Sequence, residues 1–163
     1  MSAEKDVYKQ NDLAILTIVS PTDCFLTVTD VDEKGEGTVL FPNKFVQDNR
    51  IKANVELVLP PPGAGFQYRL KDRGVETVTA VCSDSRDSVD GIKHDFAKQA
   101  FTPVPDYARS VAKTRSIAVE VTKVADAGKV APPPAPAPGP APAPAPAKVK
   151  RELFRTAIKI KVE

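Results

Sequence analysis

Residues 24–60, CFLTVTDVDEKGEGTVLFPNKFVQDNRIKANVELVLP, decide the reading of the whole chain. Leu26 and Val28 stand on one side of an extended segment, Phe25 and Val31 on the other. Glu33-Lys34-Gly35-Glu36-Gly37 interrupts it, Thr38-Val39-Leu40-Phe41 resumes it, and Pro42-Asn43 stops the run. Two β-rich segments around a glycine-containing break predict a hairpin. Asn54 to Leu59 then alternates, with Val55, Leu57 and Leu59 on one face, and predicts a third strand.

Upstream, residues 1–12 are polar and read as a loose lead-in. Leu13 to Val19 (LAILTIV) is a short apolar run closed by Ser20-Pro21-Thr22-Asp23, the pattern of a buried strand. Downstream, Lys44 to Ala53 is a polar connection expected to fold over one end of the sheet. Pro60-Pro61-Pro62-Gly63-Ala64-Gly65 cannot continue a ladder. Phe66, Tyr68 and Leu70 alternate with Gln67 and Arg69 as a half-buried strand. Asp72-Arg73-Gly74 turns the chain into a strong strand, Val75 to Cys82. A polar loop fills 83–95. Asp95 is placed to cap a short helix through Ala100, which Pro103 and Pro105 end. A second helical stretch, Asp106 to Lys113, leads to a strand over Ser116 to Val124.

From Ala131 to Ala147 every residue is Ala, Pro or Gly. Such a tract builds no core and is expected as an extended spacer of about 50 Å. Behind it, Phe154, Ile158, Ile160 and Val162 alternate with Arg155, Ala157, Lys159 and Lys161, a strand that cannot stand alone. Either it returns to its own sheet, beside Ser116–Val124, or it is offered to the sheet edge of another protein. The expected architecture is an all-β, antiparallel sandwich of about seven or eight strands with one or two short helices. Residues 1–125 and 153–163 form its single domain, and 126–152 the linker or loop.

The 163 residues carry a net charge of +2, too small to imply nucleic acid or an anionic membrane. The charge is uneven: residues 148–163 hold six Lys/Arg against two Asp/Glu, leaving a net −2 for residues 1–147. No apolar run reaches the roughly 18 residues of a membrane span, and Met-Ser-Ala-Glu-Lys-Asp lacks a signal-peptide core. Cys24 and Cys82 each lie in or beside a β-rich run. Two buried thiols are the simpler reading; a disulfide requires that the two strands be neighbours.

Candidate sites weigh toward structure. Asp30-Val31-Asp32-Glu33-Lys34-Gly35-Glu36 has the acidity of a calcium loop, but Lys34 and Phe41 stand where an EF-hand needs oxygen ligands. It reads as a charged hairpin tip. Ser83, Ser85 and Ser88 with Asp84, Asp87, Asp90 and His94 spell a hydrolytic triad, yet all fall in one polar loop without a Gly-x-Ser-x-Gly elbow. Gly35-Glu36-Gly37 and Gly63-Ala64-Gly65 are turns, since no Gly-Lys-Ser/Thr and no helix follows. Lys148, Lys150, Arg151, Arg155, Lys159 and Lys161 could touch phosphates, but Phe154 is their only aromatic neighbour. They read as the charged face of an edge strand. No catalytic residue, cofactor or metal is expected.

Cys24-Phe25-Leu26-Thr27-Val28, the acidic turn with Gly35, Val39-Leu40-Phe41-Pro42-Asn43, the strand ending Leu59-Pro60 and the Gly74–Ser83 strand together resemble the bacterial family termed domain of unknown function 4384, mainly over residues 13–83. The resemblance implies a β-rich accessory module of multidomain or envelope-associated proteins, without catalytic positions. Leu40, Phe41, Pro42 and Asn43 are then structural, closing a strand and turning the chain. The expectation is a non-enzymatic interaction module with a protein partner, periplasmic or envelope-associated rather than cytoplasmic. The alternatives are a small-ligand binder or hydrolase using a pocket at the sandwich end, near the 60–66 and 83–95 loops, and weak nucleic-acid binding through the basic tail.

Overall fold

The computed structural model describes residues 1–87, 91–107 and 152–163. In chain order these form β1 (Ser2–Ala3), β2 (Val7–Tyr8), β3 (Leu13–Ala14), β4 (Leu16–Ile18), β5 (Cys24–Val31) and β6 (Gly37–Phe41). Then follow β7 (Arg50–Ile51), β8 (Leu57–Leu59), β9 (Tyr68–Arg69), β10 (Gly74–Ser83), β11 (Thr102–Val104) and β12 (Glu152–Val162). The expected strand over Ser116–Val124, the helical stretch beyond Tyr107 and the Ala/Pro tract lie outside the described residues.

The β5–β6 hairpin forms around Gly35, whose φ of +87° lies where glycine is favoured. Asp32 Oδ1 accepts the N–H groups of Lys34 and Glu36, each at 2.9 Å, and holds the tip closed. The hairpin belongs to a seven-stranded sheet ordered β11-β6-β5-β10-β12-β2, with β7 paired to β5. Every pairing in it is antiparallel except β12 with β2. A second layer comprises β1-β4-β8 and the pair β3-β9. Between the layers lies one core, with Leu16, Ile18 and Leu59 from the smaller side and Leu26, Val28, Phe41, Val78, Ala80 and Ile160 from the larger. The result is an antiparallel β-sandwich. A satellite cluster of Val39, Val104 and Tyr107 covers part of the main sheet's other face.

β12 enters this core. Ten residue pairs join it to β10, from Gly74↔Val162 to Ser83↔Glu152, while β2 meets only Lys161 and Val162.

Four expectations are corrected. Residues 1–12 are not loose: β1 pairs with β4, β2 pairs with β12, and Tyr8 is buried in the core. Two-residue strands carry no periodicity, so their signal is confined to the Val7-Tyr8 pair itself. The Leu13–Val19 run is not buried throughout. Ala14, Leu16 and Ile18 turn inward while Leu13, Ile15 and Val19 remain 37–47% exposed. The predicted Asn54–Leu59 strand begins only at Leu57, because Asn54 takes a φ of +58° and donates its N–H to Ser20 O, leaving Val55 exposed. Asp95–Ala100 makes one turn, with Lys98 N–H and Gln99 N–H both donating to Asp95 O, and no helix. So short a segment does not repay helix nucleation.

Candidate functional site

The Leu40-Phe41-Pro42-Asn43 motif sits where β6 ends. Phe41 is in the core, and Asn43 is fully buried. The Asn43 side chain works as a clamp. Its Nδ2 donates to Leu40 O at 2.8 Å, and its Oδ1 accepts the N–H groups of Phe45 at 2.9 Å and Val46 at 3.0 Å. Tyr68 Oη donates to the same Leu40 carbonyl at 3.0 Å, tying the turn to the second layer. Beside it Phe45, Phe66, Tyr68 and Phe101 pack ring to ring, with Phe45 stacked on Phe66 at 5.1 Å.

Cys24 and Cys82, for which two free thiols were the simpler reading, are joined as a disulfide, Cα–Cα 5.6 Å. β5 and β10 are neighbours, and Leu26, two residues beyond Cys24, pairs with Cys82. Ser20 Oγ lies 3.6 Å from both sulfurs.

Among the described residues, neither Ser83 nor Ser85 is hydrogen-bonded to His94. Ser83 Oγ donates to Ser85 O at 2.7 Å. His94 Nδ1 lies 2.9 Å from Thr102 Oγ1, its ring stacked on Phe96. Burial pushes the His94 pKa below its ordinary value, with the nearby Asp87 charge acting in the opposite direction. Ser88 and Asp90 lie outside the described residues. In the basic tail Arg155 pairs with Glu152 at 2.9 Å and Lys161 with Glu163 at 2.6 Å; Lys148, Lys150 and Arg151 are not among the described residues.

Two acidic residues occupy an unexpected place. Leu26, Val28 and Asp30 alternate along β5, so Asp30 shares the inner face of the main sheet with core residues. Val78 stands opposite Asp30, which puts Glu76, two residues earlier on β10, on that face as well. Burial, with Glu76 and then Asp32 as repelling neighbours, raises the Asp30 pKa to about 7, against a lowering hydrogen bond from Val31. Glu76 is raised for the same reason, burial first and then the charges of Asp32, Asp72 and Glu33. The signal was present in the sequence as an Asp continuing the inward alternation of Leu26 and Val28.

A stability consequence follows. A carboxyl whose folded pKa lies above its unfolded value of 3.8 binds its proton more tightly when folded. Its contribution is fully favourable below pH 3.8 and is lost as pH rises through about 7. Thermal melts between those limits are expected to show stability falling with pH, at a slope approaching about 1.4 kcal/mol per pH unit. Asp30→Asn is expected to raise stability at pH 8 and flatten the slope. An unchanged slope in the variant would place Asp30's carboxyl in water.

The described residues thus form a disulfide-bonded antiparallel β-sandwich with a clamped strand end. Residues 7–86, from β2 through β10, match the family described as "Domain of unknown function (DUF4384)". No curated protein and no solved structure matches the chain. Among the described residues no helix is long and apolar enough to cross a membrane.

Proposed function

We propose that this chain is a non-enzymatic interaction module, a protein-binding part of a bacterial envelope-associated assembly, and that it holds its partner by strand addition along the outer edge of β12. The observation that carries this reading is the state of that edge. Lys161 N–H donates outward to Asp6 O, and Glu163 N–H to Tyr8 O. Alternation along a strand aims the N–H groups of Lys159, Ala157 and Arg155 the same way. Among the described residues, β2 pairs with this edge only at Lys161 and Val162, so no described strand lies beside Ala157 and Lys159. A strand edge that carries outward backbone donors and acceptors is a template for another extended chain. Leu153, 47% exposed, supplies an apolar contact beside it. The Cys24–Cys82 disulfide supports the envelope part of the reading, because such bonds persist in oxidising compartments.

Ala157 provides the test, since its side chain is exposed and its N–H points outward. Ala157→Pro removes one outward donor and leaves the β10 pairing in place; Ala157→Ser is the control. Partners would be captured by cross-linking from Lys159 and mapped by mass spectrometry. The expected result is that the serine variant cross-links the same extended segment as the native chain, while the proline variant, with a similar melt, does not. Equal cross-linking by all three would overturn the proposal. So would collapse of the proline variant's melt, which would show that the chain covers this edge itself.

A further inference from the structure

The inner face of a sandwich is where charge is least welcome, yet Asp30 and Glu76 both stand on it. They line a cavity of about 390 Å³ between the layers, at the end of β10 remote from the disulfide. Its floor is apolar, formed by Leu16, Val78 and Ile160, the rings of Tyr68 and Phe101 stand in the wall, and the polar Thr38 and Gln67 and the exposed Lys71 also line it. Asp30 Oδ1 is buried there without a hydrogen-bond partner. Among the described residues no ion pair reaches either carboxylate. Arg69 lies at the exposed rim, with its Nη1 donating to Asn11 O at 2.8 Å.

A buried carboxylate oxygen without a partner is costly, and a positive charge that donates hydrogen bonds would satisfy Asp30 Oδ1. The surroundings define what kind. Hard divalent ions take six or more oxygen ligands, and among the described residues no group of three or more His, Cys, Asp or Glu side chains is placed to hold one. A small anion would meet two carboxylates. An organic cation satisfies both halves of the cavity, since ammonium protons can reach two carboxylates while its carbon skeleton lies on apolar walls. Aromatic faces add attraction for the charge.

We propose that this cavity is a binding site for a small alkyl- or arylammonium group, either free or at the end of a side chain, with the nitrogen between Asp30 and Glu76 and the hydrocarbon against Tyr68 and Phe101. The site is separate from the β12 edge and does not depend on it.

The probe is benzylammonium, with benzyl alcohol as its uncharged counterpart and calcium chloride as the divalent control. Each is titrated into the isotopically labelled full chain near pH 8, above the value of about 7 for Asp30. Benzylammonium is expected to give saturable amide shifts centred on Asp30, Glu76 and Phe101. Benzyl alcohol is expected to bind at least roughly tenfold more weakly, the worth of a hydrogen bond to a charged group. Asp30→Asn with Glu76→Gln should lose a similar factor without a lower melt, because both changes relieve buried charge. Equal affinity for the alcohol would reduce the site to an apolar void. A response to calcium alone would make it a metal site, and the absence of any saturable shift would leave no ligand site; each overturns the proposal.

Discussion

A chain truncated after residue 151 is expected to lose cooperative folding altogether. β12 supplies ten paired positions along β10 and buries Ile160 and Val162 almost completely, with Phe154 and Ile158 packed against the core. Burial of each large aliphatic side chain contributes about 1.5–3 kcal/mol, and losing the strand also strips one side of β10. The sum exceeds what remains in a domain whose net stability is of the order of 5–15 kcal/mol. Near-ultraviolet circular dichroism and calorimetry read the outcome, and Ile160→Ala provides a graded version at about 2–5 kcal/mol. An unchanged melt in the truncated chain would mean that β12 docks without supporting the fold.

The second large effect concerns Cys24 and Cys82. Their bridge spans a sequence separation of 58 residues, for which loop entropy gives about 4 kcal/mol. The double substitution Cys24→Ala with Cys82→Ala is expected to lower the urea midpoint by a corresponding amount. Reductant should lower the native chain's midpoint toward that of the variant and leave the variant unmoved. Thiol titration in denaturant, without reductant, should find no free thiol in the native chain. Two reactive thiols, or a midpoint indifferent to reductant, would contradict the bond.

The parts of this fold legible in the sequence are those whose signal is local. The β5–β6 hairpin announces itself through Gly35 and the flanking alternation, and β12 through Phe154, Ile158, Ile160 and Val162 taken two by two. What pairs with what is less local. Nothing near β12 says that β10 is its neighbour, and nothing near Cys24 says that β5 lies beside β10. Val7 and Tyr8 are too few to show a period, although the match of residues 7–86 includes them. Asp30 illustrates a different failure. Its acidity drew it into the hairpin tip, while the alternation of Leu26 and Val28 already placed it inside. The Asn43 clamp was legible as a strand stop; its bonds to Leu40, Phe45 and Val46 were not.

The place of β12 between β10 and β2 also bears on how the protein is made. Its partners on β10 lie 69 to 88 residues earlier in the chain, and Gln10 N–H reaches Glu163 O at 3.0 Å. Synthesis runs from the amino end, so one flank of β10 and the seat of β2 stay empty until the residues after 151 have emerged. Pairings that distant make for slow folding, and during the wait a strand as apolar as Val78-Thr79-Ala80-Val81-Cys82 shows an open edge to every other nascent chain. The sheet therefore closes late, and the shielding of β10 during translation falls to whatever meets the growing chain first.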